Sequence, residues 1–157
     1  MAGQVIGKAL NYGFPGTVSR ASDSVIMSFP VTEGKINFGD AVAFDAATGS
    51  VKPVDGSTQS ADIIGIAVRE VRQPYAEGTD GWYYKVGDVC NVIVRGSVVV
   101  EVADDTGIAA RGKVYAVAGG GISAAASGNV QIANTIFSTG KIDGNDVAEI
   151  TILERSM

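Results

Sequence analysis

Histidine and cysteine, which much of nucleophilic and zinc enzyme chemistry requires, are nearly absent from this 157-residue sequence. It contains no histidine, which excludes Ser-His-Asp and Cys-His nucleophilic systems and the zinc sites that use histidine. The single cysteine, Cys90, is in phase with Val92 and Val94, so we expect its thiol to be buried in the core rather than reactive. We therefore predict no catalytic residue, no cofactor and no metal site.

One motif, Asp105-Thr106-Gly107, has a catalytic precedent, because Asp-Thr-Gly forms the catalytic loop of retroviral-type aspartic proteases. In those β-rich homodimers each chain contributes one Asp, and the paired carboxylates share a proton. Here Ala103-Asp104 precedes the motif, where that family expects apolar residues, and Ile108 follows it, where the family expects a small one. A strand-ending turn in which Asp105 bonds local backbone explains the same residues, so we do not expect a protease.

Three other polar or Gly-rich segments fall short of a ligand site. Gly119-Gly120-Gly121 is not followed by a helical pattern, and Ser138-Thr139-Gly140-Lys141 has the end of a P-loop in the wrong order. Asp143-Gly144-Asn145-Asp146 lacks the alternating ligands of a calcium loop. We interpret the first as a hairpin tip and the other two as turns.

Composition and charge exclude two classes of partner. The net charge is −5 and no basic stripe is visible, so we expect no nucleic-acid binding. No apolar run approaches the ~20 residues that span a bilayer, and the N-terminus lacks the pattern of a signal peptide, so we expect no membrane association. One cysteine cannot form an internal disulfide, which fits synthesis in a bacterial cytoplasm.

The sequence pattern predicts that the secondary-structure elements are β-strands. A pattern of Gly turn, alternating apolar strand, second Gly turn and return strand recurs three times. Its paired turns lie at Gly39 and Gly49, Gly87 and Gly96, and Gly112 and Gly121. We also predict strands over Ala61 to Arg72, with one partly exposed face, and over Asp146 to Leu153. Together these patterns predict an all-β fold, a small antiparallel barrel or sandwich built from hairpins, with an extended N-terminal arm.

The chain divides into a Gly-rich arm over residues 1–35 and a body over residues 36–157. Pro15 and the flanking glycines forbid a helix in the arm, which we expect to be extended and partly ordered by neighbouring molecules. Residues 24–29 form its one candidate strand. The alternative is that residues 1–35 pair within the barrel and touch nothing outside it.

Two groups of residues are candidates for contact with another protein. The arm supplies apolar candidates at Val5, Ile6, Leu10, Tyr12, Phe14 and Pro15. A loop over residues 73–81 and the segment after it supply candidate exposed aromatics at Tyr75, Trp82, Tyr83 and Tyr84. The alternative for the aromatics is that they close one end of the barrel.

The ordered series of Gly-Asp turns and hairpins resembles the capsid decoration, or cement, proteins of tailed bacteriophages. It runs from Gly39-Asp40 through Ile63-Ile64-Gly65, Gly87-Asp88 and Gly112-Lys113 to Val147-Ala148-Glu149-Ile150. The resemblance implies a virion structural protein on the outer capsid surface, without enzymatic activity. It also implies that the protein bridges neighbouring major capsid subunits and stabilises the expanded shell, as a homotrimer or alternatively a homodimer.

Two further functions remain open from the sequence. One is a tail or baseplate β-module of a phage, which would bind the tail rather than the shell. The other is a glycan-binding β-domain in which Trp82, Tyr83 and Tyr84 form a stacking platform. A deoxyuridine triphosphatase lacks support, since its phosphate-binding Arg-Ser-Ser and its Asp-Tyr substrate motif are absent.

Overall fold

A computed structural model describes residues 13–70, 83–104, 107–140, 142 and 146–154. These residues form strands, turns and one 3-10 turn over Ser60–Asp62, with no α-helix among them, so the all-β prediction is confirmed. The strands are β1 (Val18–Pro30), β2 (Ile36–Asn37), β3 (Ala41–Asp45), β4 (Ser50–Pro53), β5 (Ile63–Ala67), β6 (Tyr83–Tyr84), β7 (Val89–Asp104), β8 (Lys113–Ala116), β9 (Ile122–Ser123), β10 (Val130–Phe137) and β11 (Val147–Ile152).

Strand β7 is the centre of the molecule. Strands β7, β11, β10, β8 and β9 pair in that order and β9 returns to β7, which closes a barrel. Strands β5, β3 and β4 extend from the first half of β7, and β1 pairs with β7 as well. Strands β2 and β6 form a separate two-stranded ladder. In the described part of the chain no helix is of a length and hydropathy that would let it cross a bilayer.

Two hydrophobic cores share β7. Cys90, Val92 and Val94 lie in the smaller core with Phe29, Phe38 and Tyr84, and this confirms the prediction for the cysteine. Residues at the same alternation later in the strand line the larger core inside the barrel: Val98, Val100 and Val102. Even-numbered residues of β7 thus line the smaller core before Gly96, which has a φ of +119°, and the larger core after it, while Ile93 joins the larger core from the first half.

The hairpin predictions are confirmed at two places and wrong at the third. Strands β3 and β4 pair across the turn that ends at Gly49, and β8 and β9 pair across Gly119-Gly120-Gly121. No turn exists at Gly96-Ser97, because β7 continues through both residues while pairing with β1 and β11. Gly96 instead passes close to β1, since a Cβ there would lie 3.0 Å from the Ser24 Cα.

The strand predicted over 61–72 is shorter than expected and more deeply buried. All five residues of β5 are buried, so the prediction of a partly exposed face is wrong. A register shift between Val42 and Ala43 breaks the regular alternation, and it places Ile64 in the smaller core but Ile66 in the larger one. The final predicted strand is confirmed as β11, whose Ala148, Ile150 and Ile152 line the barrel interior.

The N-terminal region contributes a longer strand than the sequence suggested. β1 extends well beyond residues 24–29 and pairs antiparallel with β7, from Val18 beside Val98 to Pro30 beside Val89. The internal pairing considered as an alternative thus exists for residues 18–30. The division of the chain at residue 35 stays a prediction, and residues 1–12 lie outside the described residues.

Candidate functional site

The point where the N-terminal segment meets the body is a short turn, Gly13 to Thr17, which we call the arm root. Backbone hydrogen bonds fix it on two sides. Gly16 N–H donates to the Val99 carbonyl at 2.8 Å, and Val99 N–H donates to the Thr17 carbonyl at 2.9 Å. Arg69 N–H donates to the Gly16 carbonyl at 2.8 Å. The arm root is therefore part of the folded body.

The arm root packs tightly on the turn before β3. A Cβ on Gly16 would lie 2.7 Å from Arg69 N and 3.0 Å from Gly39 N. A Cβ on Gly39 would lie 2.8 Å from the Pro15 Cβ. No side chain larger than hydrogen fits at either glycine without displacing backbone, so the two segments hold each other in place.

Phe14 is the exposed residue that this geometry presents. The residue is 64% exposed, and the Arg69 guanidinium carbon lies 4.5 Å from the ring centroid. Pro15, which fixes the next backbone angle, is half-buried. An aromatic ring already held on the surface loses little conformational entropy when a partner covers it. Of the other arm candidates, Val5, Ile6, Leu10 and Tyr12 lie outside the described residues.

The aromatic cluster after the 73–81 loop is only partly at the surface. Tyr84 is fully buried, so the prediction that it is exposed is wrong. Its ring packs edge-to-face on Phe38 at 5.2 Å between centroids, and its hydroxyl donates to the Val68 carbonyl at 2.6 Å. Tyr83 is half-buried, with the Lys35 ammonium 4.3 Å from its ring centroid. Tyr75 and Trp82 lie outside the described residues.

Two of the Gly-Asp repeats are the same turn used twice. In Asn37–Asp40 the carboxylate of Asp40 accepts the Asn37 N–H at 3.1 Å, and Gly39 has a φ of +87°. In Lys85–Asp88 the carboxylate of Asp88 accepts the Lys85 N–H at 2.9 Å, and Gly87 has a φ of +92°. Glycine supplies the left-handed angle and aspartate closes the turn, which explains why the pair recurs before β3 and before β7.

A pocket of about 230 Å³ is lined in part by Gly39, which also contacts Pro15 and Gly16 of the arm root. Its lining residues are Asn37, Phe38, Gly39, Asp40, Glu101, Ala103 and Gly121. Burial raises the pKa of Asp40 to about 6, although hydrogen bonds from Asn37 oppose the rise. The nearby charge of Glu101 raises this pKa further, and that of Lys35 lowers it. Sequence reasoning missed this pocket, because Asp40 and Glu101 lie on separate segments that only the folded chain brings to one pocket.

The motifs with catalytic or metal-binding precedents form no assembled site in the described part of the chain. No group of three or more metal-ligating side chains occurs within it. Gly119-Gly120-Gly121 is a hairpin tip, closed by a bond from Val117 N–H to the Gly121 carbonyl at 2.8 Å. Asp105 and Thr106, and likewise Asp143-Gly144, lie outside the described residues.

Comparisons with known proteins identify the family from one match and a common fold from another. A family model described as "Structural cement protein (E217 gp24/Pam3 gp6)" matches residues 2–153. No curated protein matches the chain. A chain from the solved structure "The capsid of Myoviridae Phage XM1" is 24% identical and covers 99% of both chains with a TM-score of 0.70, which shows a common fold. Since the family model spans almost the whole sequence, the chain belongs to the phage structural cement proteins, a family of virion structural components and not of enzymes.

Proposed function

We propose that this cement protein binds the outer capsid surface and bridges neighbouring major capsid subunits, so that it stabilises the expanded shell. A shell filled with DNA is under outward pressure, and the seams between its subunits are its weakest places. A rigid β-protein that spans a seam adds buried interface there and raises the free energy needed to separate the subunits.

The observation that carries this proposal is the arm root. It is fixed to the body by the bonds at Gly16, and it presents Phe14 at the surface. The twelve residues before it would reach at most about 40 Å when extended, which is far enough to leave the body's own footprint. We propose shell contacts for the whole apolar set: Val5, Ile6, Leu10, Tyr12, Phe14 and Pro15.

We further propose that the protein acts as a homotrimer, with a homodimer as the alternative. Several arms on one oligomer would bind the shell together, and each bound arm raises the effective concentration of the next. The protein would be made in the host cytoplasm and would join the virion at its outer surface. Its partners would then be the major capsid protein and further copies of itself.

Co-sedimentation with expanded, undecorated heads of its own phage tests the proposal. We expect saturable binding of the wild-type protein at a fixed ratio to the shell subunit, a ratio that identifies the symmetry axis occupied. Phe14→Ala should weaken binding by about ten-fold or more while leaving the fold intact, because the residue is 64% exposed. Val86→Ala is the matched control, since Val86 is 56% exposed but lies in the turn before β7 rather than in the arm root.

Two results would count against this function. Absence of binding by folded wild-type protein would contradict a cement role on the expanded shell. Equal binding by the Phe14→Ala and wild-type proteins would show that the arm root is not the contact surface. The glycan-binding alternative is weakened, because Tyr84 is buried and is not available to stack on a sugar.

A further inference from the structure

The pocket beside the arm root contains two carboxylates whose charges the described residues leave largely uncompensated. Asp40 Oδ2 accepts hydrogen bonds from the backbone N–H and from Nδ2 of Asn37, each at 3.1 Å, whereas Asp40 Oδ1 accepts none from the described residues. Glu101 lines the same pocket and forms no ion pair within the described part of the chain. The pocket is thus rich in acceptors and poor in donors.

Two cationic side chains of the described residues lie over aromatic rings. Lys35, whose charge reaches Asp40, has its ammonium 4.3 Å from the ring centroid of Tyr83. Arg69, whose backbone N–H donates to the Gly16 carbonyl of the arm root, has its guanidinium carbon 4.5 Å from the ring centroid of Phe14. Lys35 forms no ion pair with Asp40 or Glu101 within the described part of the chain.

The walls of the pocket suit one long basic side chain. Phe38 and Ala103 supply apolar surface for an alkyl stem, and Gly39 and Gly121 leave room because they carry no side chain. The volume of about 230 Å³ is on the scale of a single side chain rather than of a nucleotide or an oligosaccharide. A cation at the base would meet the open Asp40 Oδ1, and Glu101 would flank it.

We propose that this pocket receives a lysine or arginine side chain of the major capsid subunit that the arm root contacts. The inference rests on the function proposed above, and it adds that the capsid subunit carries a basic residue at this contact. Gly39 is shared by the two features, since it lines the pocket and also touches Pro15 and Gly16 of the arm root. One partner surface can therefore cover Phe14 and insert a cation beside Asp40 in the same contact. Binding would gain free energy from a partly desolvated charge pair between the cation and Asp40. It would gain more from a hydrogen bond to Asp40 Oδ1, which accepts none from the described residues.

Three variants and one control test this inference on undecorated heads. Asp40→Asn keeps an oxygen acceptor for Asn37 N–H, Glu101→Gln keeps the shape of its side chain, and Glu101→Lys reverses the charge. We expect about ten-fold weaker binding for the two neutral variants, a larger loss for the reversed one, and a shallower dependence of the dissociation constant on salt in all three. Glu33→Gln is the control, because Glu33 is exposed and lines no part of this pocket.

The pH dependence of binding gives a readout that misfolding would not mimic. Wild-type binding should weaken as the pH falls below about 6, because protonation of Asp40 removes its charge. Glu101 and Lys35 are the charged groups that face it. Asp40→Asn should abolish this dependence, while its melting temperature reports that it remains folded.

The outcomes separate this inference from the proposed function. If wild-type protein binds and the three pocket variants bind equally well with unchanged salt dependence, the pocket inference is wrong and the cement function stands. If the pocket variants lose affinity and Glu33→Gln does not, the inference is supported. If wild-type protein does not bind at all, both fall.

Discussion

The two Gly-Asp turns have the same backbone and different surroundings. In both, a carboxylate closes the turn by accepting the N–H three residues earlier, and a glycine with positive φ precedes it. The residue before that glycine is Phe38 in one turn, 5% exposed, and Val86 in the other, 56% exposed. The first turn packs against the arm root and encloses a pocket, whereas the second presents Val86 to solvent. The local sequence thus determines the turn, and tertiary contacts determine what the turn does.

The position before each glycine should show the largest difference in stability. Phe38→Ala removes a ring that packs on Tyr84 in the smaller core, so we expect it to lower the free energy of unfolding by about 3–5 kcal/mol. Val86→Ala should change it by less than about 0.5 kcal/mol, because Val86 is exposed. Urea denaturation of both variants measures this contrast, and equal losses would show that the two turns are structurally equivalent.

Substitution of the two turn glycines should give the next largest difference in the free energy of unfolding. Gly87→Ala should cost about 1–2 kcal/mol for the left-handed backbone alone, since a Cβ there meets nothing within 4 Å. Gly39→Ala should cost about 2–4 kcal/mol, because its Cβ also collides with Pro15. The same denaturation experiment compares them. A Gly39→Ala variant no less stable than Gly87→Ala would mean that the arm root is not packed on this turn.

The aspartates should differ in how they couple stability to pH. Because the pKa of folded Asp40 is raised from 3.8 to about 6, the folded state binds the proton more tightly than the unfolded chain does. This group therefore makes the protein less stable as the pH rises from about 4 to 6, by at most about 3 kcal/mol. Asp40→Asn should remove that contribution, and Asp88→Asn should retain it. Melting temperatures across this pH range measure the slope, and an unchanged slope in Asp40→Asn would contradict the account.

The sequence was sufficient for the features that depend on neighbouring residues. Alternation placed Cys90, Val92 and Val94 on one buried face, and Gly-containing turns located two of three hairpins. The third failed because Gly96 has the same sequence signature whether it turns a hairpin or bends one long strand. Only the pairing of β7 with β1 and β11 distinguishes a hairpin turn from a continuous strand, and both of those strands are distant from Gly96 in the sequence.

Prediction of the candidate site was limited by the same dependence on distant contacts. Phe14 and Pro15 were predicted from the sequence as contact candidates of the arm, and the structure adds Arg69 and Gly39 as the residues that pack on them. Tyr83 and Tyr84 look alike in sequence, yet Tyr84 packs on Phe38 and is buried. Asp40 and Glu101 are 61 positions apart, so no local pattern could have joined them in one pocket.

The disruption temperature of expanded heads, with and without saturating protein, tests the central claim most directly. We expect the full chain to raise the temperature at which heads break open. A variant that lacks residues 1–12 but keeps the arm root should remain folded, since the bonds from Gly16 and Thr17 to Val99 survive, and should give little protection. A full chain that binds heads without raising that temperature would contradict a cement role, and full protection by the truncated chain would contradict the role of the arm.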